Sequence, residues 1–237
     1  MFSVNFNLFY LLYDFLFSHN NAKYIAKIIN LINLQKIIIC DVGCYKAQFS
    51  KQIFKYLKNK NLFFYLFDAN NNFIYYYKEL KFKYIFKNIA ISNKKKKTFF
   101  YINNFFEASG SSLKKTSFND KLYKLFRAPK DINKIKVTTN TLNNLIDKNI
   151  TILKIDTEGG GTEFDCIKGA SKLLRKIKVI CIECQNNNKL ISDDINKVCK
   201  YLDKHFNLVL KKKIWSVSVF TKLESYDLIF LNKKILY

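Results

Sequence analysis

Short apolar runs rich in β-branched residues alternate with stretches of helical periodicity along most of this chain. The runs KIIIC (36–40), LFFYLF (62–67), TILKI (151–155) and KVICIEC (178–184) read as buried strands. Weaker strand signals lie at 83–87, 98–102 and 136–139. Apolar spacing predicts helices over 21–33, 47–57, 70–80, 141–146, 162–175 and 193–204. Thr162 and Asp165 fit a capping box at the start of the fifth. Three β-rich segments, 206–210, 214–220 and 226–231, close the chain. Such alternation implies an α/β fold: a doubly wound, mostly parallel sheet with helices on both faces. Ligands of these sheets bind beyond the carboxyl ends of the strands, where the strand order reverses.

One proline and six glycines in 237 residues leave no Pro/Gly linker to divide the chain. We expect an N-terminal helical segment over 1–35 and one domain over 36–237. Residues 1–17 are apolar and aromatic, without the basic region or cleavage site of a signal peptide. They are too short for a membrane span. A helix packed on the domain is the expectation, with contact to a membrane surface as the alternative.

Forty-one Lys plus Arg against 18 Asp plus Glu give a net charge of +23. Such an excess suits a nucleic-acid partner. However, lysines are spread along the chain, with one run at 94–97, and Arg occurs only at Arg127 and Arg175. Nucleic-acid readers favour Arg for bidentate contacts, so compositional bias is the simpler source of the charge. The six cysteines include a CxxC, Cys181 and Cys184, inside an apolar strand. Residues three apart on a strand face opposite ways and do not share a metal. Buried free thiols in a reducing cytoplasm are expected.

Three segments carry candidate chemistry. Asp41-Val42-Gly43-Cys44-Tyr45 follows the first strong strand and opens a helix, where Gly43 permits a tight turn and close approach to a ligand. Asp68 ends the next strand, where an acid can accept both hydroxyls of a ribose. Lys154-Ile155-Asp156-Thr157-Glu158-Gly159 ends a later strand, and charges converging at a sheet edge perturb one another's proton affinity.

These segments occur in an order that resembles the FkbM methyltransferases: DVGCYKAQFS, FDAN, NIAIS (88–92), SGSSL (109–113), TLNNLI and KIDTEG…EFDCIKGA, spanning about 37–183. The resemblance implies a Rossmann-like class I methyltransferase fold and S-adenosylmethionine as methyl donor. It places Asp41, Gly43, Cys44 and Tyr45 against the donor's methionine portion, Asp68 on its ribose, and Asn88 and Ile89 near its adenine. Asp156 and Glu158 would face the methyl-transfer centre. Three departures stand out. Tyr45 and Ala47 replace the family's usual Asn and Gly, and Asn143 replaces an acid. Gly160 and Gly161 extend the family's single glycine, making either an adaptable anion-binding turn or a disordering element.

The leading expectation is O-methylation of a carbohydrate or other small metabolite, with Asp156 as first candidate base and Glu158 as second. No metal site is predicted, a divalent cation on these oxygens being the lesser alternative. The rival readings are a non-catalytic binding module in a glycan-synthesis assembly and an RNA-directed methyltransferase or binder.

Overall fold

The computed structural model describes residues 20–103, 110–114, 132–187, 194–217 and 223–235; the apolar stretch over 1–17 lies outside them. After α1 (Asn20–Leu31) come β1 (Lys36–Val42), α2 (Gln48–Tyr56), β2 (Asn61–Asp68), α3 (Ile74–Tyr77) and β3 (Lys83–Asn88). Next are β4 (Ala90–Ile91), β5 (Lys96–Asn103), β6 (Ile132–Asn140), α4 (Leu142–Leu145), β7 (Ile152–Ile155) and α5 (Thr162–Gly169). The chain closes with β8 (Val179–Asn187), α6 (Asp194–Leu202), β9 (Phe206–Val217) and β10 (Leu223–Asn232).

Seven strands form the main sheet in the order β3-β2-β1-β7-β8-β10-β9. β3, β2, β1, β7 and β8 are mutually parallel, and β10 runs antiparallel to β8 and β9. The order reverses between β1 and β7. Alternate side chains of the central strands enter two cores, which is why those strands are apolar throughout. Ile37 and Ile39 pack with Ala22, Ile25 and Ile29 of α1 and Ile53 of α2. Ile38, Cys40 and Val42 pack on the other face with Leu142, Cys166, Ile167 and Val198 of α4, α5 and α6. Cys181 and Cys184 fall in opposite cores, as strand geometry requires. Among the described residues, no helix is long and apolar enough to cross a membrane.

Several elements differ from expectation for local reasons. The helix expected over 70–80 is a 3₁₀ turn at Asn71–Phe73 followed by the single turn of α3. The Asn70 side chain accepts the Asn72 N–H at 3.1 Å and tightens that start. The helix expected over 162–175 ends at Gly169, where a Cβ would stand 2.2 Å from the Ser92 carbonyl oxygen. No capping box forms there, since Gly161 is the N-cap and Thr162 lies inside the helix. Among the described residues the closing β segments number two rather than three, the expected 214–220 segment being described only to 217. β9 runs unbroken through Lys211, Lys212 and Lys213 because it is an edge strand, whose charged residues have access to water. β5 and β6 join β4 in a separate small sheet, in the order β4-β6-β5.

Candidate active site

The turn after β1 is built on backbone crossings at the point where the strand order reverses. Gly43 and Cys44 both donate their N–H to the Phe67 carbonyl, at 2.9 and 3.2 Å, and Asp156 N–H donates to the Val42 carbonyl at 3.0 Å. A Cβ at Gly43 would lie 1.7 Å from the Asp156 carbonyl oxygen, and its φ is +72°. The missing side chain thus makes room for the β7 loop, which seats the two loops against each other. Tyr45 and Ala47 also have positive φ, 49° and 57°. The left-handed backbone that Asn and Gly adopt easily is therefore kept here by a Tyr and an Ala.

Asp41 is buried and accepts the Ser50 hydroxyl at 2.6 Å. Burial pushes its pKa up to about 6 against that hydrogen bond. Asp68 ties two loops together, one oxygen accepting Tyr45 N–H at 2.8 Å and the other Asn70 N–H at 2.8 Å. Burial raises it to about 6 despite both donors. Each of its oxygens keeps a second acceptor site. Asn88 is exposed and donates to the Asp68 carbonyl at 3.0 Å, and the half-buried Ile89 packs against the α5–α6 core. The buried Cys44 sulfur lies 3.3 Å from the Tyr77 hydroxyl, which donates to the Tyr45 carbonyl at 2.5 Å. The Tyr45 ring meets Phe73 edge-on at 4.6 Å.

Across the switch point, the buried Lys154 stands in register with Asp41 and pairs with Asp156 at 2.9 Å. Burial alone would lower the Lys154 pKa, but the neighbouring carboxylates, Asp156 foremost, hold it above the ordinary lysine value. Glu158 is half-buried with φ 64°. Burial, then the Asp156 charge, pushes its pKa up to about 8, against a hydrogen bond from the Gly110 backbone.

Glu158 and Gly159, Gly160 and Gly161 all have positive φ, from 64° to 78°. A run of four such residues is practical only where glycine dominates. The turn is held in place: Ser112 Oγ donates to the Thr157 carbonyl at 2.9 Å, Thr162 Oγ1 to the Gly159 carbonyl at 2.7 Å, and Lys114 to the Gly160 carbonyl. The anion at this turn is the chain's own Glu163, which accepts Gly159 N–H at 2.7 Å and Thr157 Oγ1 at 3.0 Å. Burial pushes Glu163 up to about 7.

Three acids at this edge, Glu163, Glu183 and Asp227, were not singled out from sequence. Glu183 accepts the Ser225 hydroxyl at 2.8 Å and stands opposite Asp227 in the β8–β10 ladder. Burial, followed by Asp156 and Glu158, raises the Glu183 pKa well above the ordinary glutamate value. A lone charge within VICIEC and within YDLIF was the available signal.

A parallel sheet that reverses between β1 and β7, with acids at the ends of β1, β2 and β7, defines a Rossmann-like class I methyltransferase fold. The family profile of the methyltransferase FkbM domain matches residues 41–208, and the chain belongs to that family, which uses S-adenosylmethionine. Among solved structures, the FkbM methyltransferase from Methylobacillus flagellatus KT shares 12% identity at a TM-score of 0.50. The match covers 81% of this chain and 44% of that one, so this chain spans under half of that protein's length. TrmK of M. capricolum, solved with S-adenosyl-homocysteine, shares 14% identity at a TM-score of 0.43, covering 90% and 67%. An rRNA methylase from Streptococcus thermophilus shares 7% at 0.46, covering 88% and 94%. No curated protein matches the sequence.

The residues present fit the donor. Among the described residues, the buried polar atoms at this edge that lack a partner include Asn70 Nδ2 after β2 and Asp156 Oδ1 after β7. One is a donor placed beside Asp68, the other an acceptor beside Lys154. Buried groups of this kind call for a polar ligand.

Proposed function

We propose that this chain transfers a methyl group from S-adenosylmethionine to a hydroxyl oxygen of a carbohydrate or other small metabolite. The observation that carries the reading is the unequal pair at the end of β7: Asp156 in an ion pair with Lys154, and Glu158 with a pKa near 8. When bound, the donor supplies a methyl carbon made electrophilic by its sulfonium. Asp68 and Asn70 would hold the ribose, with Asn88 and Ile89 beside the adenine. The turn from Gly43 to Tyr45 would hold the methionine portion.

Asp156, the first candidate base from sequence, is committed to Lys154 through Oδ2. That pairing suits it to holding charge and orienting ligands. Glu158 is the better proton acceptor, because a base works best with a pKa near the working pH. It takes the proton from the acceptor hydroxyl as the oxygen gains its methyl group. Acids lining the edge also disfavour phosphorylated acceptors and leave a neutral polyol as the suitable class.

Turnover measured against a panel of sugars and small alcohols tests this reading. Glu158→Gln is expected to lower kcat by roughly 10²–10⁴-fold with donor binding kept. It should also remove a rise in rate that wild type shows as pH passes about 8. An unchanged rate and pH profile in this variant would remove Glu158 from the mechanism.

A further inference from the structure

The β5–β6 hairpin has one face in a core and the other in water. Phe100, Ile102, Ile135 and Val137 pack inward with Ala69, Ala90 and Leu113. The outward face carries the cross-strand pairs Lys97–Thr138, Phe99–Lys136 and Tyr101–Lys134. All three lysines are exposed, Phe99 is 39% exposed and Tyr101 is half-buried. Lys134 Nζ lies 3.7 Å from the centroid of the Phe99 ring. Neither strand contains an acidic residue, and the exposed Lys94 and Lys95 extend the charge beyond β5.

Two aromatic rings two residues apart on a strand stand about 7 Å apart. Among the described residues neither strand sets an acid beside them, and Lys134, which lies over the Phe99 ring, swings aside for a base to stack there. Single-stranded nucleic acid is recognised by this combination: bases stack on the rings while ammonium groups meet the phosphates. We propose that the outward face of the β5–β6 hairpin binds single-stranded RNA.

The face is separate from the donor site, to which the hairpin is tied through its backbone edge. Tyr101 forms a β-bridge with Ser112, whose hydroxyl reaches the Thr157 carbonyl, and Gly110 donates to Glu158. The lysine run at 94–97, which composition alone explains as bias, acquires a position in this arrangement: it begins the basic side of the platform.

The test is fluorescence anisotropy of a labelled oligouridylate with the full chain in the absence of donor, so that it does not depend on methyl transfer. Binding is expected to weaken steeply as salt rises from roughly 50 to 200 mM. Phe99→Ala should weaken it at least about fivefold. Lys134→Glu with Lys136→Glu should remove most of it. Both variants should keep the wild-type melting temperature and S-adenosylhomocysteine affinity, since these side chains lie outside the cores and the donor site. Absence of binding by wild type would overturn the proposal, as would binding indifferent to all three substitutions, which marks dispersed lysines. Competition by dextran sulfate with no effect of Phe99→Ala would make the face a generic or acidic-glycan surface. Binding to phosphatidylserine vesicles but not to RNA would make it a membrane surface; either result overturns the RNA assignment.

Discussion

Single residues at the switch point carry more of the architecture than their motif suggests. Gly43 reads from sequence as a glycine that lets a ligand approach. In the structure the approaching group is the Asp156 carbonyl, 1.7 Å from where a Cβ would sit. Both partners are backbone, so neither can rotate away. Gly43→Ala should cost at least about 3 kcal/mol, the upper part of the range for overpacking, and be visible as a large fall in melting temperature. A variant that melts like wild type would show that the loops yield easily. Asp68 was legible as a strand-end acid, but its bonds to Tyr45 N–H and Asn70 N–H were not. Those depend on where two loops converge, which no local pattern records. Glu163 was hidden for a similar reason: it follows a glycine run and looks like a first-turn helix acid, a common and innocent position.

At the scale of elements, the strong parallel strands were legible because burial on both faces makes them apolar throughout. β1, β2, β7 and β8 lie within a few residues of their apolar runs. Partnerships and ends were less legible. Nothing in 98–102 or 136–139 announces a separate sheet, since a strand's sheet is decided by pairing across long sequence separations. The end of α5 is a contact effect, set by the Ser92 carbonyl against Gly169. The glycine run after Glu158 allowed two readings from sequence, and the structure shows a left-handed turn tied down by Ser112, Lys114, Thr162 and Glu163. Its anion comes from the following helix of the same chain.

For the whole molecule, the concentration of acids at one edge has a thermodynamic consequence. The pKa values of Asp41 and Asp68 rise to about 6, Glu163 to about 7 and Glu158 to about 8, each with burial as the leading cause. Unfolded, these groups titrate near 4. The folded chain therefore binds more protons between about pH 4 and 8. This contribution to stability is full below the unfolded pKa and is lost as pH rises through the folded values. Glu163→Gln, which resembles the protonated acid, should match wild type near pH 5 and melt higher than wild type near pH 8. A melting difference constant across that range would contradict the assignment. The same edge makes a cationic donor a natural occupant of a chain that is otherwise strongly basic.

Whether the ends of β1, β2 and β7 form the donor site is decided by calorimetry with S-adenosylhomocysteine on wild type and Asp68→Ala. Wild type should bind in the micromolar range, and the variant at least about tenfold more weakly, because it loses the carboxylate proposed for the ribose and the link between the Tyr45 and Asn70 loops. A folded wild type that does not bind, or a variant that binds equally well, would show that these strand ends do not hold the donor.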